Sequence, residues 1–245
     1  MEEDEKNMSL ALGGMKYGLS LKEICDCYST FGNAGIYTPS RFIKEIITAD
    51  GVTIYKNEQS ESRVFSEGTC SIMNEILIDT AKQGTAKKLK SLPFCVAAKT
   101  GTCGTEDGNT DAYSIGYTSE HCVGVWLGDK DNKKTDITGG NNCTSYLKEI
   151  FEKLYSDSLP KKLETDLGTT PIQIDADEYY SNNKIMLADD VAPKLNKLSV
   201  KILKGCEPKE KSTTFSSPSI KMPQIKVNNE GISILLYQTK YYAYI

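Results

Sequence analysis

The chain holds 245 residues, 39% hydrophobic and 25% charged. That suits one globular domain with a sizeable core, and a partial second one. The formal net charge of -4, from 29 basic and 33 acidic residues, supplies no basic face for nucleic acid. No apolar run of about 18 residues reads as a transmembrane helix. The start Met1-Glu2-Glu3-Asp4-Glu5 is acidic, where a signal peptide would be basic and then apolar. As written, the chain is expected to stay in the cytoplasm. Its eight cysteines are Cys25, Cys27, Cys70, Cys95, Cys103, Cys122, Cys143 and Cys206, and its one histidine is His121. None forms a Cys-x-x-Cys pair, so no metal and no cofactor is expected. So many thiols fit a reducing or anaerobic setting better than an oxidising one.

In chain order, Ser20-Leu21-Lys22-Glu23 reads as a capping box. Leu21, Ile24, Tyr28 and Phe31 then share a helical face, closed by Gly32-Asn33. Phe42 to Ile47 and Val52 to Tyr55 flank Ala49-Asp50-Gly51, a hairpin signal. A second helix is predicted from about Ser66 to Gln83, with Ile72, Met73, Ile76, Leu77 and Thr80 inward and Gly84 as stop. Three strands follow: Phe94 to Thr102, Asp111 to Tyr117 and Cys122 to Leu127. Their short connections predict an antiparallel meander. Asn142 to Leu154 reads as a helix with Leu147, Ile150, Phe151 and Leu154 inward. Helices flanking an antiparallel sheet give an α+β architecture. Gly205 to Pro223 is rich in Lys, Ser, Thr and Pro and reads as a linker. Beyond it, Ile225, Val227, Ile232, Ile234, Leu236, Tyr237, Tyr241 and Tyr244 are strand-like. The expected division is 1–204, a linker at 205–224, and the start of a β module at 225–245.

The most informative stretch is Lys99-Thr100-Gly101-Thr102. It is followed by Asp111-Ala112-Tyr113, Gly116-Tyr117 and Val125-Trp126-Leu127-Gly128. A Lys-Thr-Gly strand is one of three motifs of penicillin-recognising serine active sites. Ser9-Leu10-Ala11-Leu12-Gly13-Gly14, Gly18-Leu19-Ser20, Gly84-Thr85-Ala86 and Thr138-Gly139-Gly140 stand around it in order. With them the chain resembles the C-terminal half of the transpeptidase domain of class A penicillin-binding proteins, over residues 8–155 closely and 156–204 loosely. The tail is similar to the start of a fibronectin-type or immunoglobulin-like extension. The main departure is Ala98, where the family usually has Gly.

The resemblance implies an incomplete serine β-lactamase/transpeptidase-like fold and acyl transfer through a serine ester. It gives Lys99 the positive potential that draws a substrate carboxylate. Thr100 and Thr102 offer hydroxyls, and Gly101 leaves room for the substrate backbone. The Thr102 N–H forms half of an oxyanion hole. The implied partners are peptidoglycan stem peptides ending in D-Ala-D-Ala, and β-lactams. The bland alternative is a solvated lysine on an edge strand.

That family's nucleophile, in Ser-x-x-Lys, is expected before Ser9. The strings present are Ser145-Tyr146-Leu147-Lys148, Ser158-Leu159-Pro160-Lys161 and Ser181-Asn182-Asn183-Lys184. All follow the Lys-Thr-Gly strand. With 21 serines and 27 lysines, chance supplies about two. Ser181-x-Asn183 is likewise read as a decoy. Trp126 is either sheet packing or a wall residue, Cys103 either a small side chain or a reactive thiol. His121 is expected in solvent without triad partners. Tyr179-Tyr180 and Tyr241-Tyr242 suggest strand packing rather than carbohydrate stacking. Three functions stay open: a D,D-transpeptidase fragment completed by an upstream segment of a membrane-anchored, extracytoplasmic parent, a non-catalytic remnant, or a partner module for wall synthases. Apolar surface left uncovered is expected to weaken the fold.

Overall fold

The computed structural model describes residues 8, 10, 13–15, 18–131 and 133–215 and the strands at 224–228 and 231–235. Ser9, Ala11 and Leu12 at the head of the family-like match, and Leu236, Tyr237, Tyr241, Tyr242 and Tyr244 in the tail, lie outside the described residues. Two compact units divide the chain: Met1–Thr170 with Ile202–Lys204, and Pro171–Lys201 with Gly205–Ile245.

In the first unit, Ser20 closes both arms of the capping box. Its hydroxyl accepts from the Glu23 amide at 3.3 Å, and its amide donates to the Glu23 carboxylate at 2.8 Å. α1 (Leu21–Gly32) follows. Four short strands come next: β1 (Ile36–Tyr37), β2 (Glu45–Ile47), β3 (Thr53–Lys56) and β4 (Ser62–Arg63). β2 and β3 form an antiparallel ribbon whose residues are all exposed. β1 pairs with β4, which the sequence does not announce. Gly35 makes this possible. It holds φ +90°, and a Cβ there would lie 2.2 Å from the Phe65 carbonyl.

Ser66 caps α2 (Glu67–Lys82), its hydroxyl accepting from the Thr69 amide at 3.1 Å. The buried face differs from the predicted stripe. Cys70, Asn74, Leu77, Ile78 and Ala81 point inward, while Ile76 is 54% exposed. The reason is polar: Asn74 is drawn inside by Tyr117, a partner that a stripe of apolar residues cannot reveal.

A 3-10 turn at Lys87–Ser91 leads to β5 (Ala97–Thr105), β6 (Gly108–Tyr117) and β7 (Cys122–Gly128). They pair antiparallel in the order β5-β6-β7, the predicted meander. β5 begins at Ala97 rather than Phe94 and runs on to Thr105, with a bulge at Cys103/Gly104, because Glu106-Asp107 turns the chain directly into β6. Both faces are covered. On one, Ala97 and Tyr117 pack with Leu77 and Ile78 of α2 and with Tyr28 and Phe31 of α1. On the other, Ala98 and Val96 pack with Leu147 and Phe151. These last two come from α3 (Thr144–Leu154), entered through one π-helical turn at Gly139–Cys143. Ile150 and Leu154, expected inward, are 40% and 43% exposed, since only the Leu147/Phe151 edge of α3 meets the sheet.

β8 (Thr169–Asp175) pairs with β9 (Lys197–Leu203). Between them α4 (Ala176–Asn182) is capped by Asp175, whose Oδ1 accepts from the Asp177 and Glu178 amides. The second unit takes in residues 205–215, where Ser212 is buried and Lys211 pairs with Asp189 and Asp190 at 3.6 and 3.1 Å. β10 (Gln224–Asn228) and β11 (Gly231–Leu235) form a hairpin. An antiparallel sheet flanked by helices is the α+β class expected from the sequence.

Candidate active site

β5 is the terminal strand of its sheet, and alternation along it sorts the Lys-Thr-Gly residues onto two faces. Lys99, Gly101 and Cys103 share one face. Opposite them on β6 stand Ile115, Tyr113 and Asp111, and beyond on β7 Gly124, Trp126 and Gly128. Lys99 is exposed, and its Nζ donates to the Thr100 carbonyl at 2.6 Å. Cys103 is exposed as a free thiol. Trp126, 41% exposed, donates from Nε1 to Asp111 Oδ1 at 2.8 Å. It lies on the sheet face, tied to the carboxylate of the neighbouring strand. Burial first, then the Asp111 and Cys103 charges, push the Tyr113 phenol above its ordinary pKa.

Thr100 and Thr102 share the opposite face with Ala98, yet their surroundings differ. Thr100 is buried, and its hydroxyl meets the Thr85 hydroxyl at 2.7 Å. Thr102 is exposed, and its hydroxyl accepts the Gly139 N–H at 3.1 Å. Gly139 presses on the motif strand so closely that a Cβ would lie 2.3 Å from the Tyr113 carbonyl and 2.4 Å from that of Gly101. Gly140 sits closely on Thr85 as well, 2.8 Å from its carbonyl by the same measure. Two turns, one at Thr85 and one at Gly139-Gly140, therefore bracket the strand. Ala98 is fully buried among Leu147 and Phe151, so its methyl fills core rather than the Lys99 face.

The three Ser-x-x-Lys strings lie on or after α3, away from the motif strand in sequence. Ser145 bonds the Asn141 carbonyl and Lys88, while Lys148 pairs with Glu152 at 3.4 Å. Ser158 is exposed after α3, and Ser181 is exposed near the end of α4. His121 is exposed, its Nδ1 2.8 Å from the Tyr155 hydroxyl.

Residues 3–145 match the family model described as the penicillin binding protein transpeptidase domain. The chain belongs to that family. It is 34% identical over 118 residues to penicillin-binding protein 4 of Bacillus subtilis, covering 48% of this chain and 18% of that protein. Against penicillin-binding protein 1A/1B of Bacillus subtilis the identity is 26% over 233 residues, 88% of this chain and 25% of the relative. Penicillin-binding protein 1A from Haemophilus influenzae shares the fold with a TM-score of 0.64 at 17% identity, over 86% of this chain and 36% of that one. PonA1 from Mycobacterium tuberculosis does so with a TM-score of 0.58 at 20% identity, over 66% and 45%. The chain spans about a fifth to a quarter of the length of these curated relatives. Among the described residues no helix is long and apolar enough to cross a membrane.

Gly84-Thr85-Ala86 and Thr138-Gly139-Gly140 both lie within the stretch that matches the family model. What they do became visible only in space. Thr85 reaches Thr100 across 15 positions, and Gly139 reaches Thr102 across 37.

Proposed function

We propose that this chain supplies the substrate-binding wall of a serine D,D-transpeptidase that acts on peptidoglycan stem peptides and is blocked by β-lactams. The observation that carries the reading is the pairing of Gly139 with Thr102. Because the Thr102 oxygen accepts the Gly139 N–H, its own proton is left to donate outward. A peptide lying along the free edge of β5 would offer its terminal carboxylate to that proton, while the Lys99 ammonium on the other face of the strand adds the positive potential that draws it. Gly101 keeps the strand low enough for backbone to run beside it. Thr100, tied to Thr85, holds the strand in place rather than meeting substrate.

In the acyl transfer so supported, a serine oxygen attacks the D-Ala-D-Ala carbonyl. The oxyanion that forms is stabilised by the Thr102 N–H together with the nucleophile's own N–H. D-Ala leaves, and an acceptor amine then takes the acyl group. None of the three Ser-x-x-Lys strings supports the attacking role, so in this reading the chain provides the wall and not the nucleophile.

Fluorescent penicillin tests this directly. The isolated chain is expected to give no covalent adduct, yet to bind a D-Ala-D-Ala peptide reversibly, with binding lost in Lys99→Met. A stable adduct would overturn the assignment of the nucleophile. Binding indifferent to Lys99 would favour a non-catalytic or partner module.

A further inference from the structure

Lys88 lies on the 3-10 turn after Gly84-Thr85-Ala86, and its ammonium crosses to the other turn that brackets β5. It donates to the Asn141 carbonyl at 2.9 Å, to Asn141 Oδ1, and to Ser145 Oγ at 2.8 Å. An ammonium has three protons, and here each has an acceptor. Ser145 in turn donates to the Asn141 carbonyl at 2.8 Å. A Ser–Lys contact of this length invites comparison with a nucleophile and its base. The donor pattern argues otherwise. With its three protons committed, Lys88 has no lone pair to take the serine proton, and that proton already points at a backbone carbonyl.

The contacts instead describe a clamp. Asn141 is also held from within its own turn, its N–H donating to Thr138 Oγ1 at 3.3 Å. Asn142 Oδ1 accepts from the Thr138 N–H at 3.0 Å. The turn is therefore tied at both ends, and Gly139 stands two residues before the clamped Asn141. Gly139 is the residue whose N–H meets Thr102. We propose that Lys88 is a positioning residue for the substrate wall: by gripping Asn141 and Ser145 it holds the Gly139 N–H on the Thr102 hydroxyl and so aims that hydroxyl's proton at the substrate carboxylate. The clamp stands on geometry alone. Its consequence for substrate rests on the function proposed above.

The test is amide hydrogen exchange on the full chain, read residue by residue. Lys88→Met is expected to speed exchange of the Gly139 N–H about tenfold while leaving the Leu147 amide inside α3 unchanged. Lys88→Arg, which keeps a cationic donor, restores most of the protection. In parallel, affinity for diacetyl-Lys-D-Ala-D-Ala falls about fivefold in Lys88→Met and recovers in Lys88→Arg. Gly139 exchange that is the same in Lys88→Met and the parent overturns the clamp. So does equal acceleration at Gly139 and Leu147, which would mark general loosening. Should Lys88→Met not fold, Ser145→Ala removes one of the three contacts and must still accelerate Gly139, or the proposal falls. A peptide that does not bind the parent, with Gly139 still responding to Lys88, sinks the substrate reading and leaves the clamp standing.

Discussion

The hydroxyls of Thr85 and Thr100 meet at 2.7 Å, joining the turn after α2 to the middle of the motif strand. Thr100 is buried, so its oxygen depends on that one contact from the neighbouring turn. Thr85→Val is therefore expected to cost about 1–2 kcal/mol, because a buried hydroxyl loses its partner. The double variant Thr85→Val/Thr100→Val should recover much of that loss, since no polar atom is then stranded. Urea unfolding of the four proteins in the cycle measures it, and strict additivity would refute the coupling.

Tyr117, 1% exposed, donates its hydroxyl to Asn74 Oδ1 at 2.7 Å, and Asn74 Nδ2 donates to the Glu164 carbonyl at 2.8 Å. Burial first, then Cys122 and Cys70, drive the phenol above its ordinary pKa, so it stays a neutral donor. Tyr117→Phe leaves the Asn74 oxygen buried without a donor and is expected to destabilise by about 1–3 kcal/mol. Thermal unfolding compared with Asn74→Leu would show whether the cost comes from the stranded oxygen or from lost packing.

Gly139→Ala tests the tight seat of the second turn. Its Cβ would meet two backbone carbonyls inside 2.5 Å, and backbone cannot swing aside as a side chain does. The turn must lift from β5, at an expected cost of about 1–3 kcal/mol. The Thr102 contact should go with it. Loss of Gly139 protection in exchange, with Lys99 still exposed to solvent, is the outcome that checks this.

Acid sensitivity should centre on Asp26. This nearly buried carboxylate accepts from Lys22 Nζ at 2.8 Å and from the Ser40 N–H at 3.1 Å. Burial works to raise its pKa, but the Lys22 and Ser40 hydrogen bonds outweigh it and hold the carboxyl below the ordinary aspartate range. As pH falls the unfolded chain then takes up the proton first. The stabilisation is whole above about pH 4 and is lost as pH drops through the lower native value. Asp26→Asn is expected to flatten the stability profile below pH 4, read by denaturant midpoints across pH 2.5–6. An unchanged slope would assign the acid response to other carboxylates.

Much of this was legible from local spacing. Ser20 and Glu23 announce their helix because both partners of the box lie within one turn. Lys99-Thr100-Gly101-Thr102 lands on a sheet edge because the meander that follows has short connections. What spacing could not give is contact at a distance. Lys88 finds Asn141 and Ser145 across 53 and 57 positions, and no periodicity links them. Asn74 reads as a polar interruption in a helix until Tyr117 arrives from another strand to explain it. The β8–β9 pair is hidden for a similar reason: β8 alternates half-buried and exposed residues around Pro171, a weak strand signal.

The β2–β3 ribbon has a practical consequence of its own. Ile46, Ile47, Val52 and Ile54 are each more than 40% exposed, and each strand has only the other as a ladder partner among the described residues. A two-stranded apolar ribbon with free edges is a template for further strands from neighbouring molecules. Self-association in a concentrated sample is thus expected to start at a hairpin that contributes no residue to the Lys99 strand. A charge placed at Ile54 is expected to raise the concentration at which the protein stays dispersed without touching the Lys99 strand.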